Sequence, residues 1–239
     1  MNTPYPAAAS MTGTTPFGMQ AASAAPGSLL KRRIKDTILS VRGGVLAYLY
    51  TVAGYLKVRF FFDPRSDSRI EFGAGSTRKP GYRTSDLSLS SDYPWDLTFG
   101  CPFPTNSLDA IYCEHLMEHF PYKHVTMILR EFHRALRPGG SLRIVVPDAS
   151  IYLNAYQRPE SFPVDEFYQW PWLPKPVLAI DIVNYMFYMD GQHMYMYDRT
   201  NLVALVKTAG FARAEITPFD PVLDKPSRQH ESLYLTATK

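Results

Sequence analysis

The residues best suited to chemistry in this chain gather between positions 72 and 119. Phe72-Gly73-Ala74-Gly75 closes a short apolar run, RIEFGAG. Glycine lets a backbone approach a ligand with no Cβ in the way. Asp86-Leu87 and Asp96-Leu97 follow, then Glu114, His115, Glu118 and His119 within EHLMEHF. A carboxylate can accept from paired hydroxyls, and an imidazole can take a proton near neutral pH. Together they read as a nucleotide-type cofactor site.

The elements that would position these residues alternate. RIEF, YRTSDL, YPWDLT, LDAIYC and SLRIVVP read as strands, and a helical run lies before the last of them. Val125, Ile128, Leu129, Phe132 and Leu136 keep the 3.6-residue period, and Arg137-Pro138-Gly139-Gly140 stops it. His124 and His133 on this helix read as structural. Such alternation predicts an α/β protein with a mostly parallel sheet, whose ligands sit beyond the carboxyl ends of the strands. Asp198 and Thr200 can cap a last helix, NLVALVKTAG, which ends at Gly210. ARAEITPF and ESLYLTATK supply two more strands. Arg228 and His230, in the loop before the last one, read as structural.

The glycine turn departs from a dinucleotide site. Only ten residues separate Gly75 from Asp86, too few for the full helix of such folds, whose acid lies about 20 residues on. The third glycine is missing, so no helix N-terminus is aimed at a pyrophosphate. A cofactor without phosphates fits better.

In this order the motifs resemble the class I S-adenosylmethionine-dependent methyltransferases, and most of all their type 11 branch, often found among polysaccharide-building proteins. The resemblance rests on Gly73-Ala74-Gly75, Pro80-Gly81-Tyr82, Asp86, Asp96-Leu97, the run Pro102 to Asp109 (PFPTNSLD) and the run Glu114 to His119 (EHLMEH). It covers residues 68–148 densely and 190–238 loosely. It implies a doubly wound, Rossmann-like, mostly parallel sheet of seven strands, with S-adenosylmethionine as cofactor. Phe72, Gly73, Ala74, Gly75, Asp86, Leu87, Asp96, Leu97, Glu114 and His115 would hold that cofactor. Asp86 would take the ribose hydroxyls, Asp96 the adenine amino group, and Leu97 would cover the ring. His115, then His193, would be the general base for a hydroxyl acceptor. Asp109 would be structural.

EHLMEHF also spells H-x-x-E-H, an inverted zinc-peptidase motif. Pro121 leaves it about one and a half turns of helix, and no clear third ligand region follows. The expectation is no metal.

The insertion at 151–197, after strand five, holds 12 of the chain's 33 aromatic residues. Insertions of this length and character are usually functional. Trp170, Trp172, Tyr185 and Tyr188 could stack on a flat or saccharide acceptor, with His119 and His193 beside them. A small satellite core is the alternative.

The N-terminal residues 1–28 carry no charge, are rich in Ala, Ser, Thr, Gly and Pro, and are expected to be disordered. Residues 29–62 read as a basic helical extension. Seven basic residues and one acid lie between Lys31 and Arg59, against a net charge of +3 for the chain. An apolar run of about 14 residues falls short of the ~20 that span a bilayer. Such a helix either lies on anionic lipid or packs on the domain with its charges in water. Residues 63–239 would form the catalytic domain. Two cysteines, Cys101 and Cys113, give no disulfide framework, and a cytoplasmic setting is expected. With that helix set aside the rest is slightly acidic, which argues against nucleic acid as partner. The expected activity is methyl transfer to a small-molecule or saccharide hydroxyl, such as a cell-envelope glycan precursor. A non-catalytic subunit that binds S-adenosylmethionine and docks on a membrane or partner is the rival.

Overall fold

The computed structural model describes residues 26–75, 77–158 and 178–239, with side chains described from Gly44 onward. Helix α1 spans Pro26–Phe61. The chain divides into two compact units at Gly43, so the first 18 helical residues, 26–43, are treated apart from the domain that starts at Gly44. No described helix is long and apolar enough to cross a membrane.

Seven strands form one sheet: β1 (Arg69–Phe72), β2 (Arg83–Asp86), β3 (Tyr93–Pro94), β4 (Leu108–Glu114), β5 (Leu136–Pro147), β6 (Arg213–Ile216) and β7 (Ser232–Thr238). Their order is β3-β2-β1-β4-β5-β7-β6. The first five pair in parallel, and β7 runs antiparallel between β5 and β6. This is the seven-stranded, mostly parallel, Rossmann-like sheet that the resemblance implies.

Alternation along the strands decides what each face meets. On β5, Leu142, Ile144 and Val146 point to an apolar side that also holds Ile70, Phe72, Ile111 and Cys113. Helix α2 (Tyr122–Ala135) buries Val125, Ile128, Leu129 and Phe132 in that core. Phe132 stacks on Phe72 with ring centroids 4.8 Å apart. Each such side chain, fully buried, contributes about 1.5–3 kcal/mol. Helix α5 (Arg199–Thr208) adds Leu202 and Val206 to the same core. Its N-cap, Asp198, forms a capping box with Asn201, while Thr200 makes no described cap.

The opposite face is polar and is met by residues 217–224. Arg143 of β5 donates to Asp224, Thr217, Thr236 and the Pro218 carbonyl, so all its donors are used. Tyr112 of β4 and Tyr234 of β7 pack there with Phe219 and Leu223. Residues 77–82, between β1 and β2, form no helix, as the short spacing predicts.

Two differences from the sequence reading matter for the site. Strand β3 is two residues long, not six. Asp96 leaves it to cap a short 3₁₀ turn, Leu97–Phe99, and its Oδ1 accepts from the Thr98 amide at 2.9 Å. The 151–197 insertion, where described, holds α3 (Ala149–Gln157) and α4 (Ala179–Tyr188). Tyr152, Ala155, Ile182 and Met186 of these helices make a satellite core. Trp170 and Trp172 lie outside the described residues, as do residues 1–25.

The C-terminal half of α1 docks backbone to backbone. A Cβ on Gly54 would lie 1.7 Å from the Pro94 carbonyl oxygen of β3. Gly54→Ala is therefore expected to lower the stability of the domain by about 1–3 kcal/mol through overpacking. Urea unfolding measures it; an unchanged midpoint would mean that the helix does not rest on β3.

Candidate functional site

The parallel strands end their chains at one edge of the sheet. Gly73 follows β1 with φ +71° and Gly75 has φ +59°, left-handed values that only glycine adopts freely. A Cβ on Gly73 would meet Leu116 Cδ1 at 2.9 Å, whereas Gly75 faces open space. The Gly73 amide donates to the Ser85 carbonyl at 2.9 Å. At the end of β2, Asp86 Oδ2 accepts from the Gly75 amide at 2.7 Å, and Oδ1 has no described partner. The glycine turn and the acid thus form one hollow.

The apolar residues expected around a cofactor divide. The Phe72 side chain is in the core, stacked on Phe132, so only its backbone reaches the edge. Leu97 is 5% exposed and packs in the same core, because the 3₁₀ turn draws it inward. Ala74 is buried. Leu87, next to Asp86, is 45% exposed and stands free. One oxygen of Asp96 is already engaged as a cap.

Pairing of Phe72 with Cys113 puts Gly73 alongside Glu114, the last residue of β4. Both Glu114 carboxylate oxygens are buried without a hydrogen-bond partner. Lys225 Nζ stands 3.4 Å from Oε2 as an ion pair, off the line of a hydrogen bond. A buried carboxylate without donors is costly unless something completes it.

His115 follows with φ +48°, its amide donating to the Val145 carbonyl of β5. Its Nδ1 lies 2.8 Å from Arg228 Nη1 and its Nε2 lies 2.8 Å from Ser232 Oγ. A guanidinium only donates, so Nδ1 accepts and Nε2 carries the proton toward Ser232. Burial, reinforced by Arg228, pushes the imidazole down to about 2. His115 is thus neutral as expected, but both nitrogens are engaged, and it holds no free lone pair for an acceptor's proton.

His115 and His119 do not pair as H-x-x-E-H would require. Met117–His119 is a single 3₁₀ turn, and it puts His119 against a different partner. His119 Nδ1 donates to the Gln192 carbonyl at 3.0 Å, and His193 Nδ1 donates to the Met186 carbonyl at 2.5 Å. Since a carbonyl only accepts, both rings keep Nε2 as a free lone pair. The rings meet edge to face, 5.0 Å between centroids. Burial lowers the pKa of His193. Glu118 is completely buried, with neither oxygen hydrogen-bonded, and burial pushes its carboxyl up to about 8. Its Oε1 is 3.5 Å from His115 Nδ1 and 4.0 Å from His119 Nε2. Tyr188 is 65% exposed nearby in sequence, and its carbonyl accepts from the His193 amide.

The edge therefore gathers Gly73, Gly75, Asp86, Glu114 and His115, and beside His115 the group Glu118, His119 and His193. Arg228, Glu231 and Ser232 join it without having been picked from the sequence. Arg228 pairs with Glu231 at 3.3 Å while it holds His115. The available signal was topological: an antiparallel last strand begins where its parallel neighbours end. A cavity of about 470 Å³ lies at the opposite edge, lined by Tyr55, Phe62, Pro104 and Arg137 among others, and contains no expected site residue.

Residues 56–216 match the family described as a methyltransferase domain. No curated protein matches the chain. Among solved structures, a SAM-dependent methyltransferase from Archaeoglobus fulgidus is 12% identical over 79% of this chain and 93% of its own, with a TM-score of 0.44. A phosphoethanolamine N-methyltransferase 2 from Haemonchus contortus, solved with phosphomonomethylethanolamine and S-adenosylhomocysteine, is 12% identical over 77% of this chain and 52% of its own, at 0.43. A protein from Nostoc punctiforme PCC 73102 is 11% identical over 79% of this chain and 56% of its own, at 0.44.

The His115 arrangement has a direct readout. Long-range ¹⁵N correlation spectra are expected to show His115 as the neutral Nε2–H tautomer, with Arg228→Met shifting its Nδ1 resonance toward that of an unbonded ring nitrogen. A protonated Nδ1 in the wild type contradicts this assignment.

Proposed function

The chain belongs to the methyltransferase-domain family, and from that premise we propose that the strand-end hollow binds S-adenosylmethionine and passes its methyl group to a hydroxyl held over His119 and His193. The observation that carries this is the Gly73–Gly75 turn opening onto Asp86. Its free Oδ1 suits a ribose hydroxyl, and the bare backbone at Gly75 admits a ligand. The carboxylate of Glu114, alongside Gly73 and without a hydrogen-bond donor, would accept from the ammonium of a methionine tail. Leu87 is exposed where an adenine could lie. Asp96 keeps one oxygen for its amino group. When bound, the cofactor supplies an electrophilic methyl on a sulfonium.

The residues of this chain then orient and desolvate. Alignment of donor and acceptor can supply about 7–11 kcal/mol of the barrier. A general base adds roughly 10²–10⁴-fold. Since His115 offers no lone pair, that role falls to the free Nε2 atoms of His193 and His119. A saccharide or other small hydroxylated acceptor suits this edge, where Tyr188 is exposed five residues before His193. The polysaccharide-associated branch rests on the motif resemblance alone.

Contact with a membrane surface is supported by α1. Val45, Leu46, Tyr48, Leu49, Tyr55, Leu56, Phe60 and Phe61 are all exposed, Phe61 at 77%. The sequence before them is basic. Apolar side chains beside cationic ones favour an anionic interface.

Calorimetry is expected to show binding of both S-adenosylmethionine and its demethylated product. Asp86→Ala should weaken both by about 10–100-fold, the loss of one or two hydrogen bonds to a charged group. Labelled methyl from S-adenosylmethionine should appear in pooled glycan precursors and not in nucleic acid. Binding without transfer to any acceptor pool would favour the non-catalytic docking subunit. Sedimentation with vesicles should show the full chain on phosphatidylserine-containing bilayers and not on neutral ones, with Phe60→Ser/Phe61→Ser abolishing it. Equal recovery on both would remove the membrane role.

A further inference from the structure

We propose that Glu118, His119 and His193 form a binding site for one divalent transition-metal ion of the zinc class. One ligand atom from each of the three lies within 4.8 Å of the others. Two imidazoles and a carboxylate are a donor set suited to Zn²⁺ and its first-row neighbours, and they leave a coordination position for a further ligand.

Three features distinguish this group from histidines that happen to be neighbours. The Nδ1–H of each imidazole is already committed to a backbone carbonyl, that of Gln192 for His119 and that of Met186 for His193. This is the outer contact that metal-bound histidines make, and it leaves Nε2 as the metal-binding atom on both rings. Glu118 supplies the second, independent observation. Its side chain is fully buried, both oxygens lack a hydrogen-bond partner, and Oε1 lies 4.0 Å from His119 Nε2. A carboxylate buried in that way needs a donor or a cation. The backbone is also fixed around it, since the Met194 and Tyr195 amides both donate to the Glu118 carbonyl. The segment that carries His193 is thereby tied to the turn that carries Glu118 and His119.

Ligand atoms at ~2.0–2.1 Å from a tetrahedral ion stand about 3.3 Å apart. A contraction of at most roughly 1.5 Å from the 4.8 Å within which the three atoms lie is enough. The nearest guanidinium, Arg228, opposes a cation, but it is held by Glu231 at 3.3 Å and turned to His115 Nδ1. His115 itself is excluded as a ligand because Arg228 and Ser232 take both its nitrogens.

The inference deepens the proposed function and its role in methyl transfer rests on that reading: with both Nε2 lone pairs on an ion the imidazoles would be ligands in place of bases, and a hydroxyl of the acceptor at the open position would be acidified by the ion and lose its proton to solvent. Binding itself does not depend on it. The test therefore uses full-length, chelator-treated protein without S-adenosylmethionine or acceptor. Titration with Zn²⁺ alone, followed by calorimetry, is expected to give one site. His119→Ala and His193→Ala should each weaken it about tenfold or more. His124→Ala, on α2 and outside the group, should leave it unchanged. X-ray absorption at the zinc edge should show two imidazole nitrogens and oxygen. Should Glu118→Gln or His193→Ala unfold, the partly exposed His119→Ala decides the matter with the absorption spectrum. No saturable binding, or binding that survives both histidine substitutions, overturns the site while leaving the cofactor hollow and the methyl-transfer reading as they stand.

Discussion

One hydrogen bond shapes the hollow at the strand ends: the Gly75 amide to Asp86 Oδ2, 2.7 Å. It joins the ends of two parallel strands where no helix intervenes. Parallel pairing places Gly73, Asp86 and Glu114 at the same edge. The left-handed backbone at Gly73 and Gly75 then turns the chain so that amide and carboxylate meet. Shifting either strand by one residue would send Asp86 to the other side of the sheet, because side chains alternate. The packing of Phe72 on Phe132 and of Gly54 on Pro94 matters to function for this reason: it holds the register of the strands whose ends make the hollow.

Beyond the hollow the edge is dominated by buried titratable groups. Glu114 and Glu118 have no hydrogen-bond donors, and Arg228 and Lys225 approach from the loop before β7. Burial disfavours the ionised forms of Glu118 and His115. Glu118 is pushed up and His115 is pushed down by the same cause. Two buried carboxyls without hydrogen-bond donors at one edge are the observation on which the proposed ligand contacts rest. The Arg143–Asp224 pair on the polar face is the contrasting case. Every guanidinium donor of Arg143 is satisfied within the chain, and the pair holds the 217–224 segment in place.

The sheet was legible because its signals are local and periodic. Strand-to-glycine runs, the α2 stripe ending in Phe132 and the ten residues between Gly75 and Asp86 are each readable from local spacing. What was not legible depends on side-chain burial. Leu97 looks like a residue that covers a ring, yet the 3₁₀ turn capped by Asp96 folds it into the core. His115 looks like a free base, yet its lone pair is used by Arg228, which lies 113 residues away in sequence. In the sequence H-x-x-E-H is discounted because Pro121 cuts its helix short, and the group seen, Glu118, His119 and His193, takes its third member from the end of the aromatic insertion. Contacts at such separations are set by topology, and only the antiparallel course of β7 hinted that residues 228–232 return to the site.

The central claim is that one nucleoside sits between the Gly73–Gly75 turn and Asp86. A crystal structure with S-adenosylhomocysteine tests it most directly. The ribose hydroxyls are expected on Asp86, with the amino-acid tail over the glycine turn and its ammonium within hydrogen-bond distance of Glu114. Ligand density elsewhere, with Asp86 and Glu114 untouched, would contradict the account.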